Sequence, residues 1–240
     1  MNKKILFPLF IGFFMGFAFL SLPPALDKLM SLYGVSYTGI SFLLSAMLWS
    51  HAIMQIPAGL FTDRLGVKRT IFIGLILLGA GSLMGAVTPS YTLALIGRVI
   101  TGIGMGLTFV TNMKLIALYA PKNRIGSFQA FSTGFFSIGS ILAFLLIPHI
   151  TKIHWQWVYL LPGLGCVPLL LYLPRLNLES SLDVMNPLPV LGRIIRMPSA
   201  WVLGLIHAMG WGTVLTFGNW LPSVLAEVWG SATANSFAWS

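Results

Sequence analysis

Charge is what this sequence has least of. Of 240 residues only 8% are Asp, Glu, Lys or Arg, and five of them are acidic. Soluble domains carry about 25% charged residues, so the chain lacks the polar groups to coat a water-facing surface. A single cysteine, Cys166, excludes an internal disulfide, and no Cys/His cluster has metal-ligand spacing. H-E-x-x-H, phosphate-loop and G-x-S-x-G patterns are absent. Gly102-x-Gly104-x-Gly106 follows no strand, so it reads as helix packing and not as a nucleotide loop. Nothing here calls for a cofactor or a metal. Ten-residue alternating strands of the barrel type are missing too.

What is present is apolar length. Hydrophobic types make up 57% of the chain, and they gather into runs near the roughly 20 residues that cross a bilayer as a helix. Helices close their own backbone hydrogen bonds, which lipid cannot do for them. Seven segments are expected: Ile5 to Leu26, Thr38 to Phe61, Thr70 to Val87, Tyr91 to Leu118, Ser127 to Pro148, Gln156 to Leu173, and Ala200 to Leu221. Lys3 and Lys4 before the first run resemble the start of a secretory signal. The run is too long for that, and no A-x-A-like cleavage site follows it. The fold class is therefore an all-α integral membrane protein, with the lipid bilayer as its first partner.

The net charge of +9 would point to nucleic acid in a soluble protein. Here the basic residues sit at the ends of apolar runs and set orientation instead, so no nucleic-acid partner is expected. With the N-terminus in the cytoplasm, Lys3, Lys4, Arg64, Lys68, Arg69, Lys114, Lys122, Arg124, Arg175, Arg193 and Arg196 all fall inside. Only Lys28 and Lys152 fall outside, and Arg98 lies within a span. That bias predicts a multi-pass protein of the plasma (inner) membrane with a cytoplasmic N-terminus. Trp155, Trp157 and Tyr159 would form an interfacial aromatic belt.

Residues 1–173 read as a six-helix bundle and residues 174–198 as a cytoplasmic linker, part of which (Val190 to Met197) suits the membrane surface. Residues 199–240 read as the start of a second bundle. Leu22-Pro23-Pro24-Ala25-Leu26 is echoed by Leu221-Pro222-Ser223-Val224-Leu225. Ser41-Phe42-Leu43-Leu44-Ser45 is echoed by Ser236-Phe237-Ala238-Trp239-Ser240. Together they suggest a second six-helix group that begins at the seventh segment. An eighth helix would have only its first residues here, so the reading expects a truncated chain whose missing partner is the rest of the second bundle.

Between the second and third segments stands Gly59-Leu60-Phe61-Thr62-Asp63-Arg64-Leu65-Gly66-Val67-Lys68-Arg69. Gly59 permits close packing or a bend, and Gly66 a tight turn. Asp63 can pair with Arg64, Lys68 or Arg69 and with neighbouring helix ends. A generic positive-inside loop explains the basic residues but not the two glycines and the aspartate. The run resembles the major facilitator superfamily signature G-x-x-x-D-[RK]-x-G-x-[RK]-[RK], with every defined position filled. Arg98-Val99-Ile100-Thr101-Gly102-Ile103-Gly104 is similar to that family's R-x-x-x-G-x-G element. The resemblance implies two six-helix bundles, a secondary transporter and a small-molecule substrate, with a proton or cation as coupling ion. It also implies that Gly59, Asp63, Arg64, Gly66, Lys68 and Arg69 form a conformational latch.

In the fourth segment Arg98, Thr101, Met105, Thr108 and Asn112 share one face at 100° per residue. Gly97 and Gly104 flank it on one side, Gly102 and Gly106 on the other. Two readings stand: a stripe lining a watery cavity, where Arg98 meets an organic or inorganic anion or carries coupling, or an Arg98 that snorkels outward. Gln129, Thr133, Ser137 and Ser140 in the fifth segment, His51 with Gln55 in the second, and His207 with Trp211 in the seventh either line the pathway or glue helices together. Asp27 is the one acid near the pathway. The fifth segment lacks the Gly-Pro-x-x-Gly-Gly element of many antiporters in the family and the nitrate-porter glycine signature, which weakens both assignments. The competing classes are a non-transporting membrane fragment or interaction subunit, and a membrane enzyme. The latter needs clustered acids or histidines at one interface, and none is seen.

Overall fold

A computed structural model describes residues 3–178, 192–193 and 196–229. They are helical, with no strand among the described residues. Among the described residues the bounded α-helices are, in order, α1 (Lys3–Phe19), α2 (Leu26–Tyr33), α3 (Tyr37–Leu65), α4 (Val67–Val87), α5 (Tyr91–Tyr119), α6 (Ile125–Ile150), α7 (Trp157–Tyr172) and α8 (Pro198–Trp229). Seven spans are long and apolar enough to cross a membrane, with α1 and α2 sharing the first. The second echo, Ser236 to Ser240, and the linker acids Glu179 and Asp183 lie outside the described residues.

The chain forms two compact units, residues 1–182 and 183–240. In the first, α5 packs on α4 and α3, α1 on α6, and α4 on α7. In the second, α8 is a long, largely apolar helix.

The last helix runs on past the expected Leu221 to Trp229, and three other boundaries differ from expectation for local reasons. The first span breaks after Phe19, because Pro23 and Pro24 supply no backbone N–H and disfavour helix before them. The chain restarts as α2 and ends at Gly34, whose φ of 61° suits glycine. α3 runs on to Leu65 and α4 begins at Val67. The basic loop is thus a single residue, Gly66, at φ 82°.

Glycine decides which helices touch. A Cβ on Gly97 would meet the Gly81 carbonyl, and one on Gly104 would meet Gly74 and Leu78, all on α4. A Cβ on Gly102 would run into Ser50, and one on Gly106 into Met54, both on α3. The two glycine pairs expected to flank the α5 stripe therefore seat α5 against two different helices. Gly16 of α1 and Gly139 of α6 approach each other's helices in the same way, against Phe136 and Phe13.

Candidate functional site

One end of the first unit is basic. There Lys114 Nζ of α5 lies 2.5 Å from Asp63 Oδ1, in the last turns of α3. Asp63 thus pairs across to a neighbouring helix, one of the two pairings expected of it, and among the described residues no ion pair joins it to Arg64, Lys68 or Arg69. Extension of the α3 helix to Leu65 turns Asp63 toward α5. Lys68 is committed elsewhere: its ammonium donates to the carbonyls of Pro174 and Leu176, at 2.9 and 3.0 Å. These carbonyls close the chain beyond α7, where a lysine satisfies groups the helix leaves unpaired. Arg64 and Arg69 are exposed. A Cβ on Gly59 would meet nothing within 4 Å, so close packing at Gly59 is not found among the described residues.

The α5 stripe is buried. Arg98 is 4% exposed, and Thr101, Met105, Thr108 and Asn112 are each 1% or less. Arg98 is held inside the first unit, and the stripe packs against protein. Thr101 and Thr108 donate to the carbonyls of Gly97 and Gly104 one turn back. Asn112 donates to the Pro8 carbonyl of α1 at 3.1 Å and to Ser132 of α6 at 3.3 Å, tying three helices. The reason is geometric: the glycines on both flanks draw α3 and α4 over the stripe.

A different set of polar groups gathers at mid-span. His51 lies fourteen residues from each end of α3, and its Nε2 is 2.8 Å from the Gln55 amide nitrogen. Its Nδ1 is buried without a partner. The imidazole sits edge-to-face with Phe19 of α1 (6.4 Å) and Phe109 of α5 (5.8 Å). Phe19 touches Phe136 of α6 at 5.5 Å. Along α6, Thr133 and Ser137 are exposed and bond back to Gln129 and Thr133, whereas Ser140 is buried and donates to Gly16 of α1. So His51, Gln55, Phe19 and Phe109 meet at mid-span, with Phe136 packed on Phe19.

Asp27 is exposed in the first turn of α2, where its charge complements the helix end. In α8 the rings of His207 and Trp211 stand 6.2 Å apart. Among the described residues no group of three His, Cys, Asp or Glu is placed to hold a metal.

Residues 9–239 match the family model described as Major Facilitator Superfamily. The chain belongs to that superfamily. It is a multi-pass membrane protein, and the fold expected of the family is the one observed. One relative within the superfamily is the uncharacterized MFS-type transporter EfpA of Mycobacterium tuberculosis, 25% identical over 210 residues, covering 85% of this chain and 39% of that protein. The D-galactonate transporter of Escherichia coli O6:H1 is 31% identical over 137 residues, 55% of this chain and 31% of that protein. The chain thus spans less than half the length of these curated relatives. A solved D-xylose-proton symporter shares the fold at a TM-score of 0.72 and 16% identity, covering 98% of this chain and 64% of that one.

Phe19, Phe109 and Phe136 escaped the sequence reading. Phenylalanine is the bland filler of membrane helices, and only the contacts of Phe19 and Phe109 with His51, and of Phe136 with Phe19, mark these three. The tyrosines near Arg98 escaped for a related reason. Tyr159 was expected in an interfacial belt, yet it is 2% exposed, packed on Gly85, and bonded through its hydroxyl to Tyr33 at 2.8 Å.

Proposed function

We propose that the whole protein is a secondary transporter that moves a small hydroxylated organic acid across the plasma (inner) membrane by alternating access. The first bundle supplies one wall of a midplane site. The observation that carries this reading is the His51–Gln55 pair at mid-span, ringed by Phe19 and Phe109. Substrate sites of such transporters lie near the bilayer midplane between bundles. An amide and an imidazole match hydroxyl and carboxylate groups, and the aromatic faces cover carbon skeleton. Likeness to a D-galactonate transporter supports the choice of an organic acid.

Thr133, Ser137 and Gln129 extend the same wall along α6. His207 and Trp211 are the corresponding candidates on α8. His51 is the candidate carrier of a coupling proton, since its unpartnered Nδ1 lies at the site itself. Asp27, exposed on α2, would serve at the mouth. The charge bias of the loops supports a cytoplasmic N-terminus, which puts the Asp63–Lys114 end inside the cell. There the motif would favour one of the two transport states.

The test is uptake of labelled D-galactonate, with D-galactose as neutral control, by cells producing the full-length protein. Accumulation is expected for the acid, falling at least tenfold in His51→Ala and Gln55→Ala at equal membrane abundance. Uptake at the level of empty cells would reject this solute class. Normal uptake by both variants would remove the α3 pair from the pathway.

A further inference from the structure

Arg98 is a cation buried inside the first bundle, and no acid pairs with it among the described residues. Its side chain is 4% exposed and its Nε is buried without an acceptor. Of the two acids in the first unit's described residues, Asp63 is paired with Lys114 and Asp27 is exposed. A buried charge without a partner costs several kcal/mol, so the arrangement calls for a counter-ion.

The neighbouring hydroxyls repeat the imbalance. Tyr159 lies within electrostatic reach of Arg98. Its hydroxyl and that of Tyr33 are 2.8 Å apart. Two phenols bring two donor hydrogens, and the bond between them uses one. The second phenol hydrogen has no acceptor among the described residues. Thr101 adds nothing here, because its hydroxyl donates to the Gly97 carbonyl, and Ser82 faces Thr101 at 3.5 Å. The site therefore combines a positive charge, an unused N–H and an unused O–H, with no acceptor to receive them.

It is also set apart from the mid-span wall. Gly102 packs against Ser50, beside His51, and Arg98 lies four residues before Gly102, about 6 Å along the helix. Tyr159 on α7, seated on Gly85 of α4, and Tyr33 on α2 border the site.

We propose that Arg98 and the Tyr33–Tyr159 hydroxyl pair bind a small inorganic monovalent anion, of the chloride class, as a resident of the first bundle. The anion accepts from Arg98 Nε and from the free phenol hydrogen, and it neutralises the charge that the fold buries. The assignment stands independently of the solute the whole protein carries.

The test uses the purified 240-residue chain in detergent. Melting is followed in sodium chloride, sodium bromide and sodium gluconate at equal ionic strength, and radiolabelled chloride binding is measured at equilibrium. Chloride and bromide are expected to raise the melting temperature saturably while gluconate does not. Loss of one hydrogen bond to a charged partner weakens binding roughly tenfold or more, which is the effect expected of Tyr159→Phe. Arg98→Met is expected to abolish binding. Equal melting in all three salts, or chloride binding unchanged in Tyr159→Phe, would overturn the proposal. Tyr159→Phe keeps the test decisive should Arg98→Met fail to fold.

Discussion

Lys114 and Asp63 join the basic end of α5 to the end of α3 across 2.5 Å. The aspartate belongs to the motif that marks the family, and the lysine does not. The pair is about a third exposed, 30% and 35%, so water screens it and its contribution is at most about 1 kcal/mol. Asp63→Asn and Lys114→Met are expected to destabilise the chain equally, and the double variant no further than either. Chemical denaturation in detergent measures this cycle. The coupling shrinks in molar salt, and strictly additive losses would show that the two residues act apart.

Two glycines, alike in the sequence, differ in what surrounds them. A Cβ on Gly81 would stand 2.6 Å from the Thr101 nitrogen and 2.7 Å from the Gly97 carbonyl. Backbone must move to admit it, so Gly81→Ala costs about 1–3 kcal/mol. Gly59 has open space around its Cβ position and lies inside α3. There alanine is favoured over glycine by up to about 1 kcal/mol, and Gly59→Ala is neutral or stabilising. Thermal melting of the two variants side by side checks both signs.

Lys68 holds the chain just past α7 through the carbonyls of Pro174 and Leu176. Lys68→Met removes both bonds while keeping most of the aliphatic stem. Losing hydrogen bonds from a charged donor costs on the order of 1.5 kcal/mol or more, softened here by partial exposure. Amide exchange over residues 173–178 is expected to quicken by about tenfold at most, with α4 itself unchanged. Unchanged exchange over 173–178 would mean that other contacts hold this segment.

The membrane class, the number of spans and the family were legible in the chain because they rest on local quantities. Span length, loop charge and a motif within eleven consecutive residues are each properties of short windows. The flanking of the α5 stripe by two glycine pairs was legible as well, from helical periodicity alone. The stripe's surroundings were not. Thr108 and Asn112 have the composition of a pathway lining, yet α4 covers the first, and Pro8 with Ser132 claims the second. A polar face reads the same whether it meets water or another helix.

By itself the sequence determined that these residues form apolar helices suited to lipid, since backbone satisfaction and hydropathy leave no other stable form. It also placed most helix ends to within about a turn, but not the break after Phe19 or the run of α8 past Leu221 to Trp229. Only the tertiary structure decided which polar groups share a site. It sent Asp63 to Lys114, brought Phe19 and Phe109 to His51, and buried Arg98 near Tyr159, which bonds to Tyr33. Those pairings join residues up to 126 positions apart. They depend on where glycine lets two helices approach, and that is a property of packed surfaces rather than of any one segment.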